Sequence, residues 1–247
     1  MPPSEPTDIP APTIVVGMHN SGTSILAELL HEHGLFLGAN MSHYENRFFT
    51  KQINEQMMMG GGGNWANLPI MSIDEVLSFK DNTGHVIREH WLEEFKALGY
   101  DGVSHWGFKD PRTCVFLPLY LEVFPDAKVL HIVRNRDDVA ASLSRKRKKG
   151  VDRMDDRDHW KNLAIQYVDR VRYCKEHYSI EYLEIQYEDF CRNPEPLAET
   201  VFNFVGIEFT KDARDFANQR LYTYRIGSAR PLHQLFTRFR RYIERVR

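Results

Sequence analysis

The residues best placed to do chemistry in this 247-residue chain run from Thr13 to Ser24, Thr-Ile-Val-Val-Gly-Met-His-Asn-Ser-Gly-Thr-Ser. Gly17 and Gly22 enclose four residues, and Ser21, Thr23 and Ser24 add hydroxyl donors around the second glycine. A glycine loop that runs into a helix presents amides with no intrahelical partner, and the helix dipole adds partial positive charge. A phosphate-like anion binds naturally there. The spacing is that of a Walker A loop, in which Lys follows the second glycine and Ser or Thr comes next. Here Thr23 and Ser24 follow, and the Lys is missing. The loop therefore suits an anion, without the group that reaches the β- and γ-phosphates of a triphosphate. An ordinary βα turn with two glycines is the plainer alternative.

Four other polar clusters stand at the ends of apolar runs. His43-Tyr44-Glu45 follows the first βα unit, and Lys109-Asp110-Pro111-Arg112 follows Trp106-Gly107-Phe108. Arg134 ends the run Lys128 to Val133, with Ser142 one to two turns into the next helix, and Tyr187-Glu188-Asp189 follows Glu181 to Gln186. Arginine suits a phosphate because its planar fork meets two oxygens. Arg134 and Ser142 could reach one anion from the strand and helix sides, or Arg134 could merely cap a corner.

The elements that must position these residues alternate. Thr13–Val16 reads as a buried strand, and Ile25, Leu26, Leu29 and Leu30 follow a helical period. Glu45 to Met59 reads as a helix broken by Gly60 to Gly63, and Ser72 to Glu75 as a capping box opening another. Further helices are expected over His85–Leu98, Leu117–Phe124, Asp137–Lys149, Asp158–Glu176, Leu197–Val205, Asp212–Gln219 and Leu232–Val246. Strands alternating with helices imply an α/β fold whose mostly parallel sheet is covered on both faces, three layers in all. Ligands in such sheets sit at the carboxyl ends of the strands, where the loop at Gly17, the turn at Lys109, the Arg134 corner and Tyr187 all fall.

Composition narrows the class. A hydrophobic content of 42% supports a real core, and a formal net charge of -2 gives no global field favouring nucleic acid. The basic run Arg145 to Lys149 reads as a solvated helix end. Cys114, Cys174 and Cys191 are too widely separated for a disulfide framework or a zinc site, and fit a reducing, cytoplasmic setting. Residues 1–12 are proline-rich, without the apolar core of a signal peptide, and are expected as a disordered leader. No apolar run approaches the roughly 20 residues of a membrane span.

In their order and approximate spacing, the Gly17–Ser24 loop, Lys109-Asp110-Pro111-Arg112, the Arg134–Ser142 pair and Tyr187-Glu188-Asp189 resemble the successive signatures of bacterial-type sulfotransferases. The resemblance runs from residue 13 to about residue 205. It implies a P-loop NTPase-like sulfotransferase architecture, a single domain over 13–247, and 3′-phosphoadenosine 5′-phosphosulfate (PAPS) as donor with no metal. It implies that Ser21, Gly22, Thr23 and Ser24, in one loop with His19 and Asn20, cradle the 5′-phosphosulfate. Arg134 and Ser142 would hold the 3′-phosphate, Tyr187 would lie near the adenine, and Arg225 with Gly227, Ser228 and Arg230 would close over the nucleotide.

The chain departs from the family at Asn20, where relatives usually carry Lys or Arg to meet the bridging oxygen as it leaves. His19 or Lys109 makes up the difference, or catalysis is slow or lost. The resemblance also implies a base for the acceptor hydroxyl. Glu45 is the first choice and His43 the second, with Lys109 orienting the sulfuryl group; a capping carboxylate and a simple ion pair are the plainer alternatives. The implied activity is in-line sulfuryl transfer to a carbohydrate, lipid or small-molecule hydroxyl, with homo-oligomerisation left open. The competing readings are a P-loop nucleotide or small-molecule kinase, and a PAPS- or PAP-binding relative that does not catalyse.

Overall fold

The computed structural model describes residues 9–69, 71–145 and 157–225. Four strands form one sheet: β1 (Thr13–Val16), β2 (Gly107–Lys109), β3 (Lys128–Val133) and β4 (Glu181–Gln186). Their spatial order is β2-β1-β3-β4, and every neighbouring pair is parallel. Val15 pairs with Lys109 on one side and Leu130 on the other, so the strands finish along one edge. Chemistry-bearing residues just past the strand ends are thereby gathered on that edge.

The helices are α1 (Thr23–His31), α2 (Glu55–Gly60), α3 (Ile73–Leu77), α4 (Thr83–Ala97) and α5 (Thr113–Val123). They continue with α6 (Arg136–Arg145), α7 (Arg157–His177), α8 (Tyr187–Arg192), α9 (Pro194–Val205) and α10 (Lys211–Arg225). Alternate residues of β1 feed two cores, because successive strand side chains point to opposite faces. Ile14 and Val16 join Phe108, Phe116 and Tyr167 of one core; Val15 joins Leu26, Leu130 and Phe202 of the other. Burial on both faces is why β1 and β3 read as continuous apolar runs.

Three local departures from the expected elements matter for the site. The helix expected from Glu45 begins later, because the Asn46 side chain accepts from the amides of Phe48 and Phe49 at 2.9 and 3.3 Å. That is an N-terminal cap, and it leaves Glu45 extended at φ −97°, ψ 147°. Residues Phe48–Asn54 then form a π-helical turn before α2. Tyr187 opens a short helix, α8, that is not among the expected elements. The Ser72–Glu75 capping box is present in both directions.

Part of the expected leader is held in place. The Trp106 indole donates to the Pro10 carbonyl at 2.7 Å, and the Lys128 amide to that of Pro12 at 2.9 Å. The expected helix Leu232–Val246, residues 146–149 of the basic run, and Gly227, Ser228 and Arg230 lie outside the described residues, as does the Arg225 side chain.

Candidate active site

The loop after β1 is shaped by two glycines. A Cβ on Gly17 would lie 2.4 Å from the Ile132 carbonyl oxygen of β3. Gly22 adopts φ +101°, and a Cβ there would lie 2.4 Å from the Tyr187 ring. Only glycine permits that backbone and that approach together. Within the loop the Gly17 amide donates to Cys114 Sγ at 3.2 Å, and Ser21 Oγ donates to the Met18 carbonyl at 2.6 Å. Asn20 sits at φ +66°, a left-handed conformation that Asn accepts more readily than most residues. Gly22 stands at the N-cap of α1 and, having no side chain, supplies no side-chain cap to its first turn.

Arg134, just past β3, folds onto this loop. Its Nη1 donates to the Asn20 carbonyl at 3.0 Å, and its guanidinium lies 4.7 Å from the Tyr187 ring centroid. Tyr187 thus touches both Gly22 and Arg134, joining the ends of β1, β3 and β4 at one corner. Arg134 Nε is buried and makes no hydrogen bond among the described residues. Ser142 is half-buried on the second turn of α6; no hydrogen bond joins it to Arg134 among the described residues.

On the other side of β1, Lys109 ends β2 and is 1% exposed. Its Nζ donates to Glu45 Oε1 at 3.0 Å and lies 3.5 Å from Ser24 Oγ in the first turn of α1. Burial pulls the ammonium pKa below its ordinary value, while the Glu45 charge opposes that shift. Two residues singled out separately in the sequence are therefore partners, and they flank the helix N-terminus. His43, two residues before Glu45, is exposed on a turn over Ser42–Tyr44 with φ +67°. Its neighbour Tyr44 is drawn toward Glu32, and burial pushes its phenol up to about 12. The half-buried His19 ring packs 4.9 Å from Trp65 and 6.0 Å from Tyr167. Lys109 brings a cation to the Ser24 hydroxyl at the end of the loop.

The turn after Lys109 has a scaffold that sequence reasoning missed. Asn54 Nδ2 donates to Asp110 Oδ2 at 3.0 Å and to Thr113 Oγ1 at 2.9 Å, and Asn54 Oδ1 accepts from Tyr120 OH at 2.9 Å. Asp110 also accepts from both the amide and the Nε of Arg112, and Arg112 reaches Glu55. Asp110 and Arg112 thus hold the turn, while Lys109 faces the loop. The one sequence signal for Asn54 is an amide among apolar neighbours Phe49, Ile53 and Met57. Cys114, the acceptor for Gly17, carries no signal at all; burial pushes its thiol pKa well up. Among the described residues no group of His, Cys, Asp and Glu is arranged to hold a metal ion.

Comparisons with known proteins agree with this architecture. The family model described as "Sulfotransferase family" matches residues 12–211. No curated protein sequence matches. Among solved structures, the chain is similar to sulfotransferase STF1 from Mycobacterium tuberculosis, at 15% identity and TM-score 0.51, covering 86% of this chain and 72% of that one. It is similar to the sulfotransferase domain of the Synechococcus olefin synthase, at 15% identity and TM-score 0.54, covering 85% and 78%. It is also similar to mouse sulfotransferase SULT7A1 complexed with PAP, at 15% identity and TM-score 0.53, covering 88% and 66%. Identities this low speak for the fold, a P-loop-like α/β architecture with a parallel sheet. The family match runs from just before β1 to the start of α10, and on that match the chain belongs to the sulfotransferase family.

Proposed function

We propose that this sulfotransferase takes its sulfuryl group from PAPS and transfers it to a hydroxyl of a carbohydrate, lipid or small-molecule acceptor. The observation that carries the reading is the joint packing of Gly22 and Arg134 on Tyr187. It sets an uncapped helix N-terminus and a guanidinium against one ring, which supports two neighbouring anion-binding corners. The residues fit that donor: the first turn of α1 has no side-chain cap, and Arg134 keeps a buried Nε–H without a partner among the described residues. When bound, PAPS supplies an activated sulfuryl group and leaves as adenosine 3′,5′-bisphosphate (PAP).

The chain's own residues divide the remaining work. The amides and hydroxyls of Ser21, Thr23 and Ser24 hold the 5′ end, and Arg134 with Ser142 holds the 3′-phosphate. Tyr187 packs near the base, and Arg225 covers the nucleotide. Lys109 supplies the positive charge that Asn20 lacks, from the neighbouring strand. Glu45, extended and beside Lys109, takes the proton from the acceptor hydroxyl. Fixed donors of this kind contribute most where charge develops in a site shielded from water. The three cysteines are free and buried, in keeping with a reducing cytoplasmic setting.

Thermal unfolding with PAP tests the reading. PAP should raise Tm without magnesium, and Arg134→Ala should abolish the rise. A rise with magnesium and ATP but none with PAP would overturn it in favour of a kinase. The neutral Asn20 favours one second reading, a relative that binds PAP without turnover. A screen of hydroxyl acceptors with labelled PAPS, read by mass, separates the two: binding without transfer to any acceptor supports the second.

A further inference from the structure

A cavity of about 380 Å³ opens beside Arg134, on the side of the sheet covered by α6 and α7. Its depth is apolar: Met18, Ile132, Val139, Ala164 and Val168 form the walls. Its rim carries Arg134, Arg136 and Arg172. Arg172 is already matched, since its Nε and Nη2 both donate to the Glu184 carboxylate, at 3.1 and 2.7 Å. One carboxylate, Asp169, also lines the cavity, from an exposed position on α7. Carboxylates also stand at this mouth, since the Asn135 amide donates to Glu188 and Asp137 lies beside Arg136, but Arg134 holds a buried Nε–H with no partner among the described residues.

An apolar chamber with a few convergent polar groups at its mouth is the usual form of a small-molecule site. We propose that this cavity binds an apolar monocarboxylate, its body among Met18, Val139, Ala164 and Val168 and its head at Arg134 and Arg136. A carboxylate suits the rim because its two oxygens match the guanidinium fork. Neutral ligands of the same shape bring no charged acceptor to the buried Arg134 Nε–H. Occupation of the cavity competes with a 3′-phosphate for Arg134; that coupling rests on the nucleotide reading, whereas the binding itself does not.

Calorimetric titration of the full chain with octanoate, below its micelle concentration and with 1-octanol as the neutral control, tests the site. One octanoate per chain is expected, at least about tenfold tighter than the alcohol. Val168→Trp, which fills the chamber from a half-buried position, should abolish binding. Arg136→Ser, at an exposed position, should weaken it several-fold while leaving Tm unchanged, and it decides the matter if Val168→Trp fails to fold. Equal affinity for alcohol and acid, or unchanged binding in these variants, overturns the proposal. Saturating octanoate should then raise the Kd for PAP; an unchanged Kd with octanoate bound overturns the coupling and leaves the site.

Discussion

Lys109 and Glu45 form a pair at 3.0 Å across the first turn of α1, with the lysine almost completely out of water and the glutamate 18% exposed. A buried ammonium needs its counter-charge, and removing one partner leaves the other strongly destabilised. Lys109 also touches Ser24, so the pair links the first turn of α1 to the extended segment around Glu45.

This pairing predicts how the two residues fail. Glu45→Gln should lower kcat about 10²–10⁴-fold if Glu45 is the base. Lys109→Met should lower kcat about 10²–10³-fold with little change in the Kd of PAP. The double variant should lose little more than the worse single one, because groups acting as a unit are not additive. Steady-state kinetics of the three proteins check this, and additive losses would show that the two act separately.

Gly22 predicts a different failure. Gly22→Ala places a methyl group against the Tyr187 ring and forces an L-residue into left-handed backbone, a strain of about 1–3 kcal/mol. PAP binding and Tm should both fall. Tyr187→Ala removes the collision but deletes a buried ring of its own, so the double variant should lose less stability than the two single losses added together. Strictly additive losses would show that the methyl group and the ring do not collide.

Much of this corner was legible in the sequence. Gly17, Gly22 and the β-branched run before them fixed the strand and loop, because glycine and periodicity act locally. Arg134 was placed by the end of its strand. The pairing of Lys109 with Glu45 was not legible, because parallel strands bring together residues far apart in the chain. Glu45 was put inside a helix since nothing in the pattern marks Asn46 as its cap. Asn54 was passed over for a related reason: a buried amide looks like a surface position until its partners on α5 are known.

Asn54 itself gives the third prediction. Asn54→Leu should strip Asp110, Thr113 and Tyr120 of a shared partner inside the core, costing about 3 kcal/mol in urea unfolding. The loss should extend to catalysis, since the same network holds the turn that follows Lys109. Unchanged stability would mean that water takes over the role of the amide.

The fourth concerns pH. His131 on β3 is fully buried, and burial holds its pKa below the ordinary value. Its Nδ1 meets Tyr182 OH at 2.8 Å, and that hydroxyl donates to Glu184 at 2.6 Å, so Nδ1 carries the ring's proton. Hydrogen bonds from the His131 side, from Arg172 and from Tyr182 hold the Glu184 carboxyl well below the usual carboxylate range. As pH falls below about 6.5 the unfolded imidazole takes up a proton that the folded one refuses, and stability declines. Below about 4.3 Glu184 adds a second loss, since its carboxylate is favoured only in the folded state. Tm measured from pH 8 to pH 4 should fall in this sense, and His131→Phe should remove the upper part of the decline.

The π-helical turn over Phe48–Asn54 has its own consequence. Glu55 donates its amide to Thr50 five residues back, so this stretch holds one residue more than an α-helix of the same reach. Deleting the exposed Lys51 would bring the Glu55 amide within four residues of Thr50, an α-helical bond, so the coil closes as an ordinary α-helix with Asn54 still facing Asp110 and Thr113 and Phe49 still stacked on Phe108. A shortening by one residue at this surface would therefore leave the core in register, which no deletion in the regular helices that follow could do.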